Sequence, residues 1–216
     1  MTEQRVPVQY FLFGLSGAGK DTVAQIMNQL LNIYDVALAD PIRLEYERFV
    51  GLPDGKHDRT KMIQIGETYK RLYGQDVWCE AATRLIHQIE QRRGAMRSGT
   101  VANKAFATSM HEALGFLNEG YVITDGRYLH EYDYFVGQRG FWPIRLVADD
   151  DVRLERLRRR DGDTQPDALA WEREHFIGSP GYTIYNNTSI SDLVAQISEM
   201  HSYYASQKTE ISEGSN

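Results

Sequence analysis

The nine residues Gly14-Leu15-Ser16-Gly17-Ala18-Gly19-Lys20-Asp21-Thr22 constrain this chain more than any other stretch. Before them, Val8 to Phe13 is a short apolar and aromatic run that stops at Gly14. After them, Val23, Ile26, Met27, Leu30 and Leu31 recur at helical spacing. The order is therefore strand, Gly-rich turn, helix. Glycines allow a curl tight enough for several backbone N–H groups to converge on one point, and the helix that follows adds its positive end. Such a nest binds an anion, and phosphate oxygens are its usual guests. Lys20 supplies a point charge suited to the β and γ phosphates of a triphosphate. A Mg²⁺ accompanying that triphosphate needs a hydroxyl. The position directly after the lysine is Asp21, and Thr22 follows one place later. Ser16, Gly17, Ala18, Gly19, Lys20, Asp21 and Thr22 are thus the expected nucleotide-binding residues. The alternative is a Gly-rich turn that binds nothing; the flanking elements and the lysine argue against it.

The rest of the chain alternates in the same manner. Tyr34 to Ala39 reads as a second strand, and Pro41 at the first turn of a helix is followed by Ile42, Tyr46, Phe49 and Val50. Gly51 to Asp58 is a loop. Arg59 to Tyr73 and Asp76 to Arg92 read as two helices broken at Gly74. Gly94 to Thr100 is a connection, and Asn103 to Leu117 a further helix. Tyr121 to Thr124, ending at Asp125, and Phe141 to Ala148 are strands. A helix with Val152, Leu154 and Leu157 follows, then a polar loop or lid from Asp161 to Gly181, a strand at Tyr182 to Tyr185 and a helix over Ile190 to Tyr204. Alternation of this kind predicts an α/β fold, three layers α/β/α around a central parallel sheet. Residues 1–206 are expected to form one domain and 207–216 a flexible tail.

Composition narrows the partners. With 216 residues, 42% hydrophobic, the chain can bury a sizeable core. A net charge of −6 argues against bulk binding of a nucleic acid polymer, so any anion site is local. No apolar run reaches the ~20 residues needed to span a bilayer, and Met1 to Pro7 lacks the pattern of a signal peptide. Cys79 is the single cysteine, so no intramolecular disulfide can form, and a cytoplasmic setting is expected. The six histidines show no metal-ligand spacing.

Four segments together resemble the P-loop nucleoside monophosphate kinase superfamily, most closely the deoxynucleoside monophosphate kinases of bacteriophages. They are Gly17 to Ala24; Ala39-Asp40-Pro41-Ile42-Arg43; Gln64 to Thr68 leading through Arg71 and Gly74 to Asp76-Val77-Trp78; and Thr124-Asp125-Gly126-Arg127-Tyr128 with Glu131 shortly after. Ile184-Tyr185-Asn186-Asn187 is similar to that family's closing strand and turn. Gly126 and Tyr128-Leu129-His130 depart from its common pattern. The resemblance implies the P-loop NTPase fold, with a helical insertion for the monophosphate at about 40–117 and a short lid at about 160–181. It also implies ATP as donor, Mg²⁺, a nucleoside monophosphate as the small-molecule substrate, and a monomer or homodimer. Kinases of other small acceptors, such as dephospho-coenzyme A or a sugar acid, share the loop, as would an accessory nucleotide-binding protein.

Roles follow from charge and position. Lys20 offsets charge on the moving phosphoryl group, and Thr22 and Asp125 are the candidate metal contacts, Asp125 because it ends an apolar strand at the ligand-facing edge of a parallel sheet. Capping the next turn is the other reading of Asp125, and the less favoured one. Arg127 either reaches the acceptor or transferring phosphate, as the resemblance favours, or pairs with Glu131. Arg153, Arg156 and Arg160 share one helix face and could converge on phosphates, Arg156 and Arg160 being the catalytic candidates; a solvated charged helix is the other reading. In the insertion, Asp40, Arg43, Lys70 and Arg71 are the polar candidates for the acceptor, with Arg71 favoured. Trp78 and Tyr73 could stack on a base or fill the core. Asp76 could accept from a base or sugar, or cap the helix after it.

Overall fold

The computed structural model describes residues 7–52, 58–97, 120–161 and 178–213, side chains at 59, 92–97, 161 and 208–213 aside. Strand β1, Val8–Phe13, runs into the Gly-rich turn, and α1, Lys20–Leu31, begins at the lysine. Next come β2 (Ile33–Val36), α2 (Asp40–Val50), α3 (Arg59–Tyr73) and α4 (Val77–Arg97). β3 (Gly120–Gly126) is followed by a one-turn helix α5 (Leu129–Tyr132), which widens into a π-helical turn over Asp133–Gly137. β4 (Trp142–Val147), α6 (Asp150–Asp161), β5 (Tyr182–Tyr185) and α7 (Ile190–Glu213) complete the chain.

All neighbouring strands pair in parallel, in the order β2-β3-β1-β4-β5. Period-two alternation along β1 divides the core. Tyr10 and Leu12 join Val122, Ile144, Leu146 and Ile184 beneath α1 and α7, while Phe11 and Phe13 join Val36 and Ile123 against Cys79, Ala82 and Ile86 of α4 and Phe135. Both faces are covered, as an all-parallel sheet requires. Leaving β1, the chain goes first to the β2–β3 side and only later crosses to β4 and β5. That reversal makes the C-terminal end of β1 the switch point where such sheets bind ligands.

Local chemistry explains most boundaries. Pro41 occupies the first turn of α2, where its missing N–H costs nothing. Asp58 caps α3, its carboxylate accepting from the N–H of Thr60 and Lys61. Gly74, at φ 101°, stops α3 where the sequence expected a break. Three expectations are corrected. α4 runs through Gly94 to Arg97, because an interior glycine costs only about 1 kcal/mol against the summed preference of 21 residues. The α5 helix and its π turn were not anticipated, since Tyr132, Tyr134 and Phe135 pack at no clean period. And α7 continues to Glu213 rather than giving way to a tail at 207. The expected helix at Asn103 to Leu117 and most of the expected lid lie outside the described residues. Of the insertion expected at about 40–117, α2, α3 and α4 are described and contact one another. Among the described residues no helix is long and apolar enough to cross a membrane.

Candidate active site

The Gly-rich turn lies at the switch point. Gly17 and Gly19 adopt positive φ, 78° and 94°, and the space beside them is already filled. A Cβ on Gly17 would sit 2.7 Å from the Arg153 carbonyl oxygen, and one on Gly19 would sit 2.2 Å from the Asn186 side-chain nitrogen. At Gly14 it would meet the Leu146 carbonyl oxygen at 2.3 Å. Only glycine fits at these positions, so the curl is packed into shape. The Lys20 side chain is buried, and its ammonium donates to the Gly14 carbonyl at 2.6 Å and to that of Leu15 at 3.4 Å. The charge is thus folded across the mouth of the loop. Ser16, Gly17 and Gly19 remain partly exposed around it, while Ala18 faces the core.

Two arginines expected to reach phosphate hold the loop from outside. Arg153 is 1% exposed; its Nε donates to the Ser16 carbonyl at 2.9 Å and its Nη1 pairs with Asp150 at 2.9 Å. Arg156 donates Nη1 to the carbonyls of Gly17 and Ala18, each at 3.4 Å, and Nη2 to the carbonyl and side-chain oxygens of Asn186 at 3.1 and 3.2 Å. Here the guanidinium braces the turn, because carbonyls of the turn point away from the amide nest and need donors of their own. Arg160 is exposed farther along α6.

Asn186 was missed from the sequence as a site residue. It is buried, and its Nδ2 donates to the Ala18 carbonyl at 2.8 Å, tying the end of β5 to the loop. Its signal was a polar side chain closing an apolar strand.

Asp125 ends β3, as expected, but both oxygens are engaged. Oδ1 accepts from the Leu38 N–H at 2.6 Å and Oδ2 from that of Ala39 at 3.0 Å. It caps the chain entering α2, not the turn after itself. Burial raises its pKa above the ordinary carboxylate value, with the two amides and Arg127 opposing that rise. The Arg127 side chain is exposed, and the expected pairing with Glu131 takes another form: Glu131 Oε2 accepts from the backbone N–H of Arg127 at 2.7 Å and of Tyr128 at 3.0 Å. Glu131 is buried, and desolvation pushes its pKa up to about 7 despite those amides.

Across from this turn stands α3. The Lys70 ammonium lies 4.6 Å from the centre of the Tyr128 ring and pairs with Glu67 at 3.2 Å. Tyr128 stacks on His130 at 5.5 Å, and burial lowers the His130 pKa, with Lys70 adding to the effect and Asp76 opposing it. Lys70 rather than Arg71 meets the end of β3; Arg71, one position round the helix, is exposed. Asp40 pairs with Arg43 and accepts from the Ala37 N–H at 3.2 Å. Trp78 is corrected to a core residue: it is 6% exposed, donates Nε1 to the Gly66 carbonyl at 3.1 Å and packs on Tyr69. Tyr73 is exposed, tilted against Tyr69 at 5.6 Å. Asp76 precedes α4 and accepts through its carbonyl from Glu80 at 2.8 Å.

Among the described residues no three His, Cys, Asp or Glu side chains gather as a metal site. The half-buried Thr22 hydroxyl in the first turn of α1 and the exposed Asp21 suit a cation bound chiefly by phosphate oxygens and water, which is how Mg²⁺ is held beside nucleotides. The residues fit that ion and do not form a protein cage for a bare one.

No protein-family model matches the chain, and no curated protein sequence matches it. Solved structures do. TT1252 from Thermus thermophilus superposes with a TM-score of 0.53 at 16% identity, over 93% of this chain and 97% of that one. Shikimate kinase from Bacteroides thetaiotaomicron superposes with a TM-score of 0.51 at 15% identity, over 93% and 99%. The chain shares the α/β fold of these two structures, a parallel sheet between helices.

Proposed function

We propose that this chain is a phosphotransferase that moves the γ-phosphoryl group of ATP onto a small acceptor, and that the acceptor is a nucleoside or deoxynucleoside monophosphate. One observation carries the first half: a glycine turn that no other residue fits, braced from behind by Arg153, Arg156 and Asn186, with a lysine ammonium across its mouth. A seat shaped before its ligand arrives needs little reorganisation during transfer.

Each residue then has a task. The N–H groups of the turn hold the triphosphate, and Lys20 reads its outer end. Mg²⁺, when bound beside Thr22, neutralises phosphate charge. Lys70, over the Tyr128 ring, and Arg127, at the turn after β3, hold the acceptor's phosphate, and Asp125 steadies that region by joining β3 to the segment entering α2. Positioning and charge neutralisation suffice, with no covalent enzyme intermediate.

The acceptor assignment has a chemical rationale as well as the sequence resemblance. A monophosphate oxygen is already ionised and needs no base, whereas a hydroxyl acceptor must lose a proton. Asp125 in β3 and Asp40 at the start of α2 are committed to backbone amides and, for Asp40, to Arg43. A second reading is favoured by one comparison: a protein named shikimate kinase shares the fold, and its name speaks for a non-nucleotide acceptor. Coupled ADP production with the common nucleoside and deoxynucleoside monophosphates, shikimate, gluconate and dephospho-coenzyme A separates the two. Turnover with at least one monophosphate supports the proposal; background rates with all monophosphates overturn it.

A further inference from the structure

We infer that Arg145 is a further phosphate-contacting residue, placed to hold the terminal phosphoryl group of the triphosphate, an inference that rests on the phosphotransfer reading. Arg145 lies within β4, between Ile144 and Leu146, whose side chains enter the α1 and α7 core. Its own side chain therefore stands on the opposite face. β4 has β1 on one side and β5 on the other, and the register sets Arg145 beside Phe13, the residue before Gly14. Strands in that position are ordinarily apolar on both faces. Here the guanidinium is exposed and, among the described residues, makes no hydrogen bond or ion pair.

Arg145 is one of the residues that line a cavity of about 320 Å³ at the strand ends, with Gly14, Leu15 and Ala18 of the loop, Leu146, Val147 and Ala148 of β4 and its end, and Arg153 of α6. Gly14 and Leu15 are the residues whose carbonyls receive the Lys20 ammonium. The lysine of such a loop serves the β and γ phosphates, so the cavity adjoins the outer end of the triphosphate seat and not its α-phosphate end. The second arginine in that wall, Arg153, gives its Nε to Ser16 and its Nη1 to Asp150, and Arg156 is engaged with Gly17, Ala18 and Asn186. Arg145 brings a planar fork that matches phosphate oxygens and spans two of them, which an ammonium cannot do. In a chain of net charge −6, a cation on an interior strand that meets no carboxylate among the described residues is open to an anion from the ligand. During transfer, charge on the γ oxygens is met from two sides, by Lys20 across the loop and by Arg145 from β4.

The test compares two nucleotides that differ only at that outer end. The full chain, with Mg²⁺, is titrated calorimetrically with ADP and with the β,γ-imido analogue of ATP, as wild type, Arg145→Gln and Arg145→Lys. Thermal unfolding checks that each variant is folded. Arg145→Gln is expected to weaken the analogue roughly tenfold while ADP affinity changes less than about twofold, since a charge-assisted bond to the γ group is lost and the inner phosphates are untouched. Arg145→Lys should recover part of that loss. Equal weakening of both nucleotides, or no change in either, overturns the inference. If Arg145→Gln does not fold, Arg145→Lys decides alone: its analogue-to-ADP affinity ratio must fall roughly threefold or more. Because no acceptor is present, failure of every acceptor to turn over would refute the kinase reading while leaving this comparison intact.

Discussion

Glu131 is a buried carboxyl whose titration should be visible in the stability of the whole chain. Its pKa is pushed up to about 7 from an ordinary 4.5, burial being the largest cause; the amides of Arg127 and Tyr128 pull it down, Asp125 pushes it up and Lys70 lowers it. In the folded chain the proton stays on until about pH 7, whereas the unfolded chain releases it near 4.5. Between those values the unfolded state binds fewer protons, so this group makes stability fall as pH rises, with the fall complete above about 7. At ~1.4 kcal/mol for each tenfold change in the proton equilibrium, the loss is about 3 kcal/mol. Glu131→Gln keeps an oxygen able to accept from both N–H groups but cannot ionise. Urea unfolding of both proteins from pH 4.5 to 8 isolates the effect, because other groups cancel in the difference. Relative to wild type, the variant should gain about 3 kcal/mol across that range, with nearly all of it between 4.5 and 7.5. Parallel profiles would refute the burial argument. So would a variant that loses ground as pH rises.

Three further outcomes are expected. Gly17→Ala places a methyl 2.7 Å from the Arg153 carbonyl oxygen at φ 78°, and should cost about 1–3 kcal/mol by thermal unfolding while abolishing nucleotide binding. Arg156→Ala removes donors to Gly17, Ala18 and Asn186 and should weaken ADP and ATP alike, about tenfold in a fluorescence titration, with Arg156→Lys restoring little because the fork is lost. Trp78→Ala should destabilise by about 3–5 kcal/mol, whereas Trp78→Phe, at a smaller cost, should leave acceptor KM unchanged, since the indole is core and not a platform for a base.

What the sequence made legible was local. β1, the glycine turn and α1 are contiguous, their periods switch sharply from two to 3.6, and the lysine has one chemically sensible use. Alternating strands and helices gave the parallel sheet. Contacts made over long separations were hidden. Arg156 was read as a phosphate ligand because its helix spacing is visible, while the carbonyls it serves lie 138 and 139 residues earlier in the chain. Asn186 reaches Ala18 across 168 residues, and Asp125 reaches Leu38 across 87. Arg145 looked like an ordinary polar residue in a strand, since only the strand order reveals that both its flanks are covered. For Trp78 the sequence left a base platform and core open, and only the fold shows its indole meeting a carbonyl one helix away at Gly66. Helix boundaries slipped where weak preferences were overridden, at Gly94 within α4 and beyond 207 in α7.

The claim on which the rest depends is that the turn from Gly14 to Thr22 seats a triphosphate with Lys20 at its outer end. Calorimetric titration of MgATP into the wild type and Lys20→Ala tests it directly. Saturable one-site binding is expected in the wild type, falling roughly a hundredfold in a variant that melts within a few degrees of it. No heat of binding in the wild type, or equal affinity in the two, would contradict it.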